Sequence, residues 1–389
     1  MPPSSGAPLE APETGSGTAS VKASSAEAPF ALAIDAMGGD GAPGIVIDGL
    51  QRVAERHPGI RLLLVGDEAV IAPLLARSRA SAICTVRHAG SVISNEIKGT
   101  AALRLRDSSM RVAIDAVARN EALGVVSAGN SGALLALAKI VVKTIPGIDR
   151  PALAAISPSA GGDVVMLDLG ANVACDSRNL AEFALMGEAF ASVVLGLPAP
   201  TIGLLNVGSE QMKGDDRIRQ AADMLRASPL SSQFHGFVEG HDITAGTTDV
   251  VVTDGFTGNV ALKTGEGAMK LAGSLLKQVF KASLLSRIAY LLARPGLDRM
   301  REWLDPRRYN GAVLLGLNGV VVKSHGGADA EGFAHAVDVA MDMVTHRFNE
   351  RIRESVSRFE AARTGSVAAE RAANASSDEP VASRLATTG

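Results

Sequence analysis

The sequence predicts an α/β protein: a three-layer, mainly parallel sheet with helices on both faces. Three observations predict it. Short apolar runs alternate with helix-periodic stretches from residue 30 to residue 357, the pattern of a parallel sheet covered on both sides. Gly-rich punctuation recurs where apolar runs stop, at DAMGGDG (35–41), SAGNSG (127–132), DLGAN (168–172), DGFTGN (254–259) and SHGGAD (324–329). In such sheets ligands bind beyond the carboxyl ends of strands. The chain of 389 residues holds 41 glycines but only 3% aromatic residues, a balance that suits Ala-rich helices on Val/Ile/Leu strands. That length allows one large unit or two subdomains.

In order, strands are expected near 30–35, 61–66, 82–87, 123–128, 151–157, 163–168, 201–207, 248–254 and 320–324. Helical stretches lie between most of them, at 42–56, 100–119, 178–195 and 214–227. A last long helix is expected over Ala330–Val356. There Phe333, Val337, Met341, Val344, Phe348 and Ile352 recur every three or four residues as one apolar stripe. No tandem repeat at a fixed period is visible.

Formal net charge is −3, which excludes a global field for nucleic acid. Cys84 and Cys175 match no metal-binding spacing and read as reduced cytosolic thiols. Residues 1–29 lack the basic and apolar regions of a secretory signal and read as a disordered tail. The Ala/Ser/Thr-biased stretch 358–389 reads as a second tail. No uncharged apolar run reaches the ~18–20 residues of a membrane span.

Each Gly-rich loop admits a structural and a chemical role. In SAGNSG, small residues where a strand gives way to a helix let backbone amides approach an anion, and the helix start adds free donors and a positive dipole end. Asp40 suits capping of the helix that begins at Pro43 or orientation of a substrate. Asp168 and Asn172 suit backbone pairing in the turn or contact with a ligand. Lys213, in NVGSEQMKGDD, and Lys263, about one turn past DGFTGN, suit solvation or an anionic substrate. His325 beside Gly326 suits a structural role or proton transfer, since an imidazole titrates near neutrality. The chain lacks a GxxxxGK[ST] loop, GxGxxG after the first strand, HExxH, a Cys/His cluster and G-x-S-x-G. Cys175 has no neighbouring His base. No metal and no cofactor are expected, so chemistry rests on positioning and electrostatic stabilisation.

Between Gly267 and Leu297 the chain carries Lys270, Lys277, Lys281, Arg287 and Arg294 and no carboxylate. Leu271, Leu275, Val279, Leu284, Leu285, Ile288, Leu291 and Leu292 supply apolar faces. A basic amphipathic segment of this kind suits an anionic membrane surface or an acidic protein. A helical pair is expected over 270–295.

With IDAMGGDGAP, SAGNSGALLA, IDRPALAA, LDLGAN, LLNVGSE…KG, FVEGHDI, TDGFTGNVALK and KSHGGAD in this order, the chain resembles the bacterial phosphate acyltransferases, the acyl-ACP:phosphate acyltransferase (PlsX) family. The resemblance covers roughly 30–355, with Ser131 and Ser209 where Thr and Glu are frequent. It implies a fold similar to phosphate acetyltransferases and isopropylmalate-type dehydrogenases. It implies transfer of a long-chain acyl group from acyl carrier protein to inorganic phosphate for phospholipid synthesis, by a homodimer at the cytoplasmic membrane face. A membrane glycerol-phosphate acyltransferase is an implied neighbour.

On that basis the amides of Asn130, Ser131 and Gly132 are expected to hold phosphate while it attacks the thioester. Asn259, Lys263 and Lys213 would stabilise developing charge, and His325 would handle a proton or position phosphate. Asp35, Gly38, Gly39, Asp40, Ser127, Gly129, Asp168, Asn172, Asp254, Gly255 and Gly326 complete the substrate loops. Lys277, Lys281, Leu284, Leu285, Arg287 and Ile288 form the membrane or carrier surface. The alternatives are an acyl-CoA-using phosphate acetyltransferase-like enzyme, a metal-dependent dehydrogenase on a related fold, and a non-catalytic membrane scaffold.

Overall fold

A computed structural model describes residues 30–97 and 100–377; the tail expected over 1–29 lies outside them. The first half runs β1 (Phe30–Asp35), α1 (Gly44–Arg56), β2 (Leu62–Gly66), α2 (Glu68–Leu75), β3 (Cys84–His88), α3 (Ser109–Ala118), β4 (Ala122–Ser127), α4 (Ser131–Val141) and β5 (Ala152–Ser159). It continues with β6 (Gly162–Leu167), α5 (Ser177–Val194), β7 (Ile202–Leu205), α6 (Asp216–Arg226), β8 (Phe234–Val238), α7 (Gly240–Ala245) and β9 (Val250–Val252). Then come α8 (Gly255–Lys281), α9 (Leu284–Trp303), β10 (Ala312–Leu315), β11 (Val320–Lys323), α10 (Ala330–Thr345) and α11 (Phe348–Ser377).

The strands form one sheet in the order β3-β2-β1-β4-β11-β10-β5-β6-β9-β7-β8. Pairings at its centre, β11 with β10, β10 with β5 and β5 with β6, are antiparallel, and the others are parallel. The short strands β8 and β10 were not among those expected from sequence. FHGFV and AVLL are too short to carry a period-2 signal that separates them from a turn or a helix end.

The central reversal governs where the loops go. β5 runs with β1, β4 and β11, while β6 turns back on it through Ala160 and Gly161 and runs against them. The carboxyl ends of β1, β4 and β11 therefore open at one edge of the sheet. Those of β6, β9 and β7 open at the opposite edge.

Strand alternation divides the core. Leu32, Ile34, Leu62 and Leu64 face a large apolar cluster shared with α1, α5, α6, α10 and the start of α11, whereas Ala33, Leu63 and Val125 face α3 and α4. Asn130 caps α4, Asp176 and Asn179 form a reciprocal cap on α5, and Asp254 caps α8.

The stripe expected over 330–356 is buried except for half-buried Val344, but Arg347, at φ 51°, divides it into α10 and α11. Order also extends past the expected boundary at 357: Phe359 is buried and α11 reaches Ser377. The helical pair over 270–295 is present as α8 and α9. In α8 only Gly255 and Gly258 are buried, and in α9 no residue is. Among the described residues no helix is long and apolar enough to cross a membrane.

Phe333 on α10 packs against Gly49 of α1 and is about 1% exposed. Phe333→Ala is expected to lower unfolding free energy by about 3–5 kcal/mol, read from urea denaturation. A change below about 1 kcal/mol would show that this helix is not part of the core.

Candidate active site

The Gly-rich loops form two clusters, one at each edge of the sheet. At the first, the loops after β1, β4 and β11 meet. The Asp35 carboxylate is buried at the end of β1 and accepts hydrogen bonds from Ser127 Oγ (2.7 Å) and the Met37 amide (3.3 Å). Burial pushes its pKa upward. Ser109 Oγ approaches it without hydrogen-bond geometry and has no partner. Ser127 Oγ in turn accepts from the Gly129 amide (3.1 Å). Asp35 and Ser127 are thus interior struts that set the course of the SAGN loop.

At Gly38 a Cβ would stand 2.6 Å from Gly129 N, so only glycine allows the first two loops to touch. Gly39, at φ 104°, packs against Ala128 and the Gly326 carbonyl, which also accepts from the Asp40 amide (2.8 Å). Asp40 is exposed beside Gly326 and Gly327.

The Asn130 side chain has a structural role beside the one expected of its amide. Its Oδ1 accepts from the Ala133 amide, and its Nδ2 donates to the carbonyls of Ser94, Asn95 and Ile97. The side chain caps α4 and fastens it to the 94–97 segment. Ser131 and Gly132, in the first turn of α4, are exposed, where a helix offers donors without intrahelical partners.

His325 is exposed, and its amide donates to Asn310 Oδ1 (2.8 Å). Its Nδ1 accepts from the Gly327 amide (3.1 Å), which assigns the proton of the neutral ring to Nε2. Asn310 also donates to Ser324 Oγ and the Gly332 carbonyl, locking the loop. Sequence reasoning missed Asn310, because nothing near it in sequence marks it.

It also passed over Lys323. Burial pushes this ammonium down to about 8 against the opposing fields of Asp35 and Asp40. A charged residue closing the apolar run VVVK was the available signal.

At the opposite edge the loops after β6, β9 and β7 meet. Asp168 Oδ1 accepts from the amides of Leu153 (2.9 Å), Gly170 (3.2 Å) and Ala171 (3.0 Å). Its Oδ2 accepts from Asn172 N (2.7 Å) and Nδ2 (2.9 Å), and Asn172 Nδ2 also donates to the Pro151 carbonyl. Both side chains therefore shape the turn. Gly255 lets the β9 loop lie on this turn: a Cβ there would stand 2.6 Å from the Asn172 carbonyl. Asp254 accepts from Thr257 N and Oγ1.

Asn259 Nδ2 donates to the Leu169 carbonyl (3.1 Å), Lys263 pairs with Glu266 (3.0 Å) on its own helix, and Lys213 is exposed. A cleft of about 560 Å³ opens here between Leu180, Leu204, Ile218, Val252, Thr257 and Arg217. Burial and the Asp168 charge push the Cys175 thiol up to about 11, which disfavours the nucleophilic thiolate.

The two clusters correct one expectation. Lys213, Asn259 and Lys263 do not join Ser131, Gly132 and His325 around one phosphate within a chain, and no hydrogen bond links the clusters among the described residues. The antiparallel turn from β5 to β6 is the reason. Among the described residues no group of three or more His, Cys, Asp or Glu side chains could hold a metal ion.

The fold is that of phosphotransacetylases. The enzyme from Streptococcus pyogenes superposes with a TM-score of 0.57 at 16% identity, covering 82% of this chain and 94% of that one. EutD phosphotransacetylase from Staphylococcus aureus gives 0.54 at 16% identity, covering 81% and 94%. A family model described as "Fatty acid synthesis protein" matches residues 30–351. The phosphate acyltransferase of Gluconacetobacter diazotrophicus is 74% identical over 85% of this chain and 89% of its own length. That of Rhodospirillum rubrum is 52% identical over 85% and 95%. The chain belongs to the phosphate acyltransferase family.

Asp168→Asn would set an amide NH₂ or a lone acceptor against donors that now share two carboxylate oxygens. A loss of about 1–3 kcal/mol is expected, read from denaturant unfolding; an unchanged midpoint would show the carboxylate is dispensable to the turn.

Proposed function

We propose that this protein transfers a long-chain fatty acyl group from acyl carrier protein to inorganic phosphate, giving acyl phosphate for phospholipid synthesis. The observation that carries the reading is the cradle after β1, β4 and β11. Exposed Ser131 and Gly132 in the first turn of α4 and exposed His325 follow the paired strands β4 and β11, so helix-start donors and an imidazole lie at the same strand ends, a setting that suits a small dianion. Family membership supports phosphate as the acceptor.

A phosphate oxygen attacks the thioester carbonyl, and the new C–O bond gives a tetrahedral oxyanion. Its collapse breaks the C–S bond, and the carrier thiolate leaves and takes up the proton that the attacking phosphate brought, passed directly or through water, while His325 Nε2–H positions the phosphate. No protein nucleophile is needed, in keeping with the raised pKa of Cys175.

The reading includes a homodimer. Two copies related by a twofold axis can set the first-half edge of one against the second-half edge of the other, bringing Asn259 and Lys213 of one chain toward the cradle of its partner. It also includes reversible binding to the inner membrane face through the exposed α8–α9 pair. Leu284, Leu285, Ile288 and Leu292 are between 49% and 81% exposed. Each basic neighbour, such as Lys277, Lys281 and Arg287, adds about 1 kcal/mol of attraction near anionic lipid. The same basic residues suit an acidic carrier protein.

Incubation with long-chain acyl-ACP and phosphate should yield acyl phosphate. No product with an active carrier overturns the assignment, and a marked preference for acyl-CoA would favour the acetyltransferase-like alternative. Mixing His325→Ala and Asn259→Ala chains should restore activity if each site spans two copies, while a mixture as inactive as its parts would remove that arrangement. Replacing Leu284, Leu285 and Ile288 with Ser should abolish sedimentation with anionic vesicles and leave turnover of soluble acyl-ACP intact. Vesicle binding that survives would place the lipid contact elsewhere.

A further inference from the structure

Lys323 is a cation of the first-half edge that the reaction above leaves unused. It ends β11, in register with Ser127 of β4 on one side and Ala312 of β10 on the other. Its half-buried side chain donates from Nζ to the carbonyl of Ala128 (3.4 Å) and to that of Ser324. These carbonyls belong to the loops that present the α4 amides and His325. An ammonium has three donors, so two loop carbonyls leave it one. No carboxylate pairs with it among the described residues. A cation removed from water and solvated by neutral carbonyls is poorly compensated until an anion joins it.

We propose that Lys323 is a positioning residue for the acceptor phosphate. Its ammonium clamps the loops after β4 and β11 through Ala128 and Ser324, and supplies the fixed positive charge that draws the dianion to the cradle. The inference rests on the reading that this edge binds phosphate, and adds the group that makes the binding charge-dependent. The other ionisable groups around it are Asp35 on β1, Asp40 in the loop after β1, and His325 in the loop after β11; its β4 and β10 neighbours, Ser127 and Ala312, carry none.

The ammonium is present below about 8 and lost as pH rises through that value, while inorganic phosphate is already a dianion there. The KM for phosphate should therefore rise about tenfold per pH unit above the transition, with kcat changing less. Lys323→Met should raise that KM at least about tenfold at neutral pH and abolish its alkaline dependence. Lys323→Arg, which stays charged, should flatten the alkaline rise.

Competitive acetylation of the unmodified protein, read at Lys323 by peptide mass spectrometry, reports phosphate binding without turnover. Inorganic phosphate should slow labelling of Lys323 severalfold and leave Lys277 and Lys281 unaffected. That measurement also stands if the Met variant fails to fold. A KM that is flat across the alkaline range, or labelling indifferent to phosphate, overturns the role of Lys323 even if acyl phosphate is formed. Absence of acyl phosphate with phosphate-protected Lys323 would instead overturn the acyl-transfer reading alone.

Discussion

The reversal of chain direction between β5 and β6 is the constraint on which the remaining architecture depends. β5 extends the first set of parallel strands through β10, and the short turn at Ala160 and Gly161 sends β6 back beside it. β9, β7 and β8 inherit that opposite sense from β6 through parallel pairing. One continuous sheet thus carries two strand-end loop clusters, facing opposite ways. Ligand sites in parallel sheets lie at carboxyl ends because helix N-termini gather there, so this sheet has two such edges.

Each edge is built around a buried aspartate that closes a strand. Asp35 accepts from Ser127 and the Met37 amide; Asp168 accepts from four amides and the Asn172 side chain. A carboxylate withdrawn from water is tolerable when donors satisfy it, and here those donors are the turns themselves. Glycines then let neighbouring loops approach at backbone distance, as at Gly38 and Gly255. The acids hold the loops in place and leave the helix-end amides open to solvent.

The α8–α9 pair follows a different rule. The body of the protein packs helices on both faces of the sheet, yet this pair contributes only two buried residues, both glycines where α8 begins. Leucines exposed along so long an element form an apolar surface of the kind that contacts cover. Its basic residues and lack of carboxylates between Gly267 and Leu297 suit the acidic surface proposed above.

Local pattern in the sequence was enough for the class of fold, most of the strands and the identity of the loops. Alternating apolar runs, caps and Gly-rich strand ends are short-range signals. Thus SAGNSG, DLGAN and SHGGAD were legible as strand-end turns before their surroundings were known. The long apolar stripe over 330–356 was legible too, although the break at Arg347 was not, since a single left-handed residue leaves the 3.6-residue rhythm almost intact. Which loops meet was not legible. Partners such as Asp35 and Ser127, or Asn310 and His325, are far apart in the chain, and their pairing depends on strand order and direction. The sequence by itself determined the class of fold and which loops close the strands; the tertiary structure decided that those loops fall into two groups, because one antiparallel turn reverses half of the sheet.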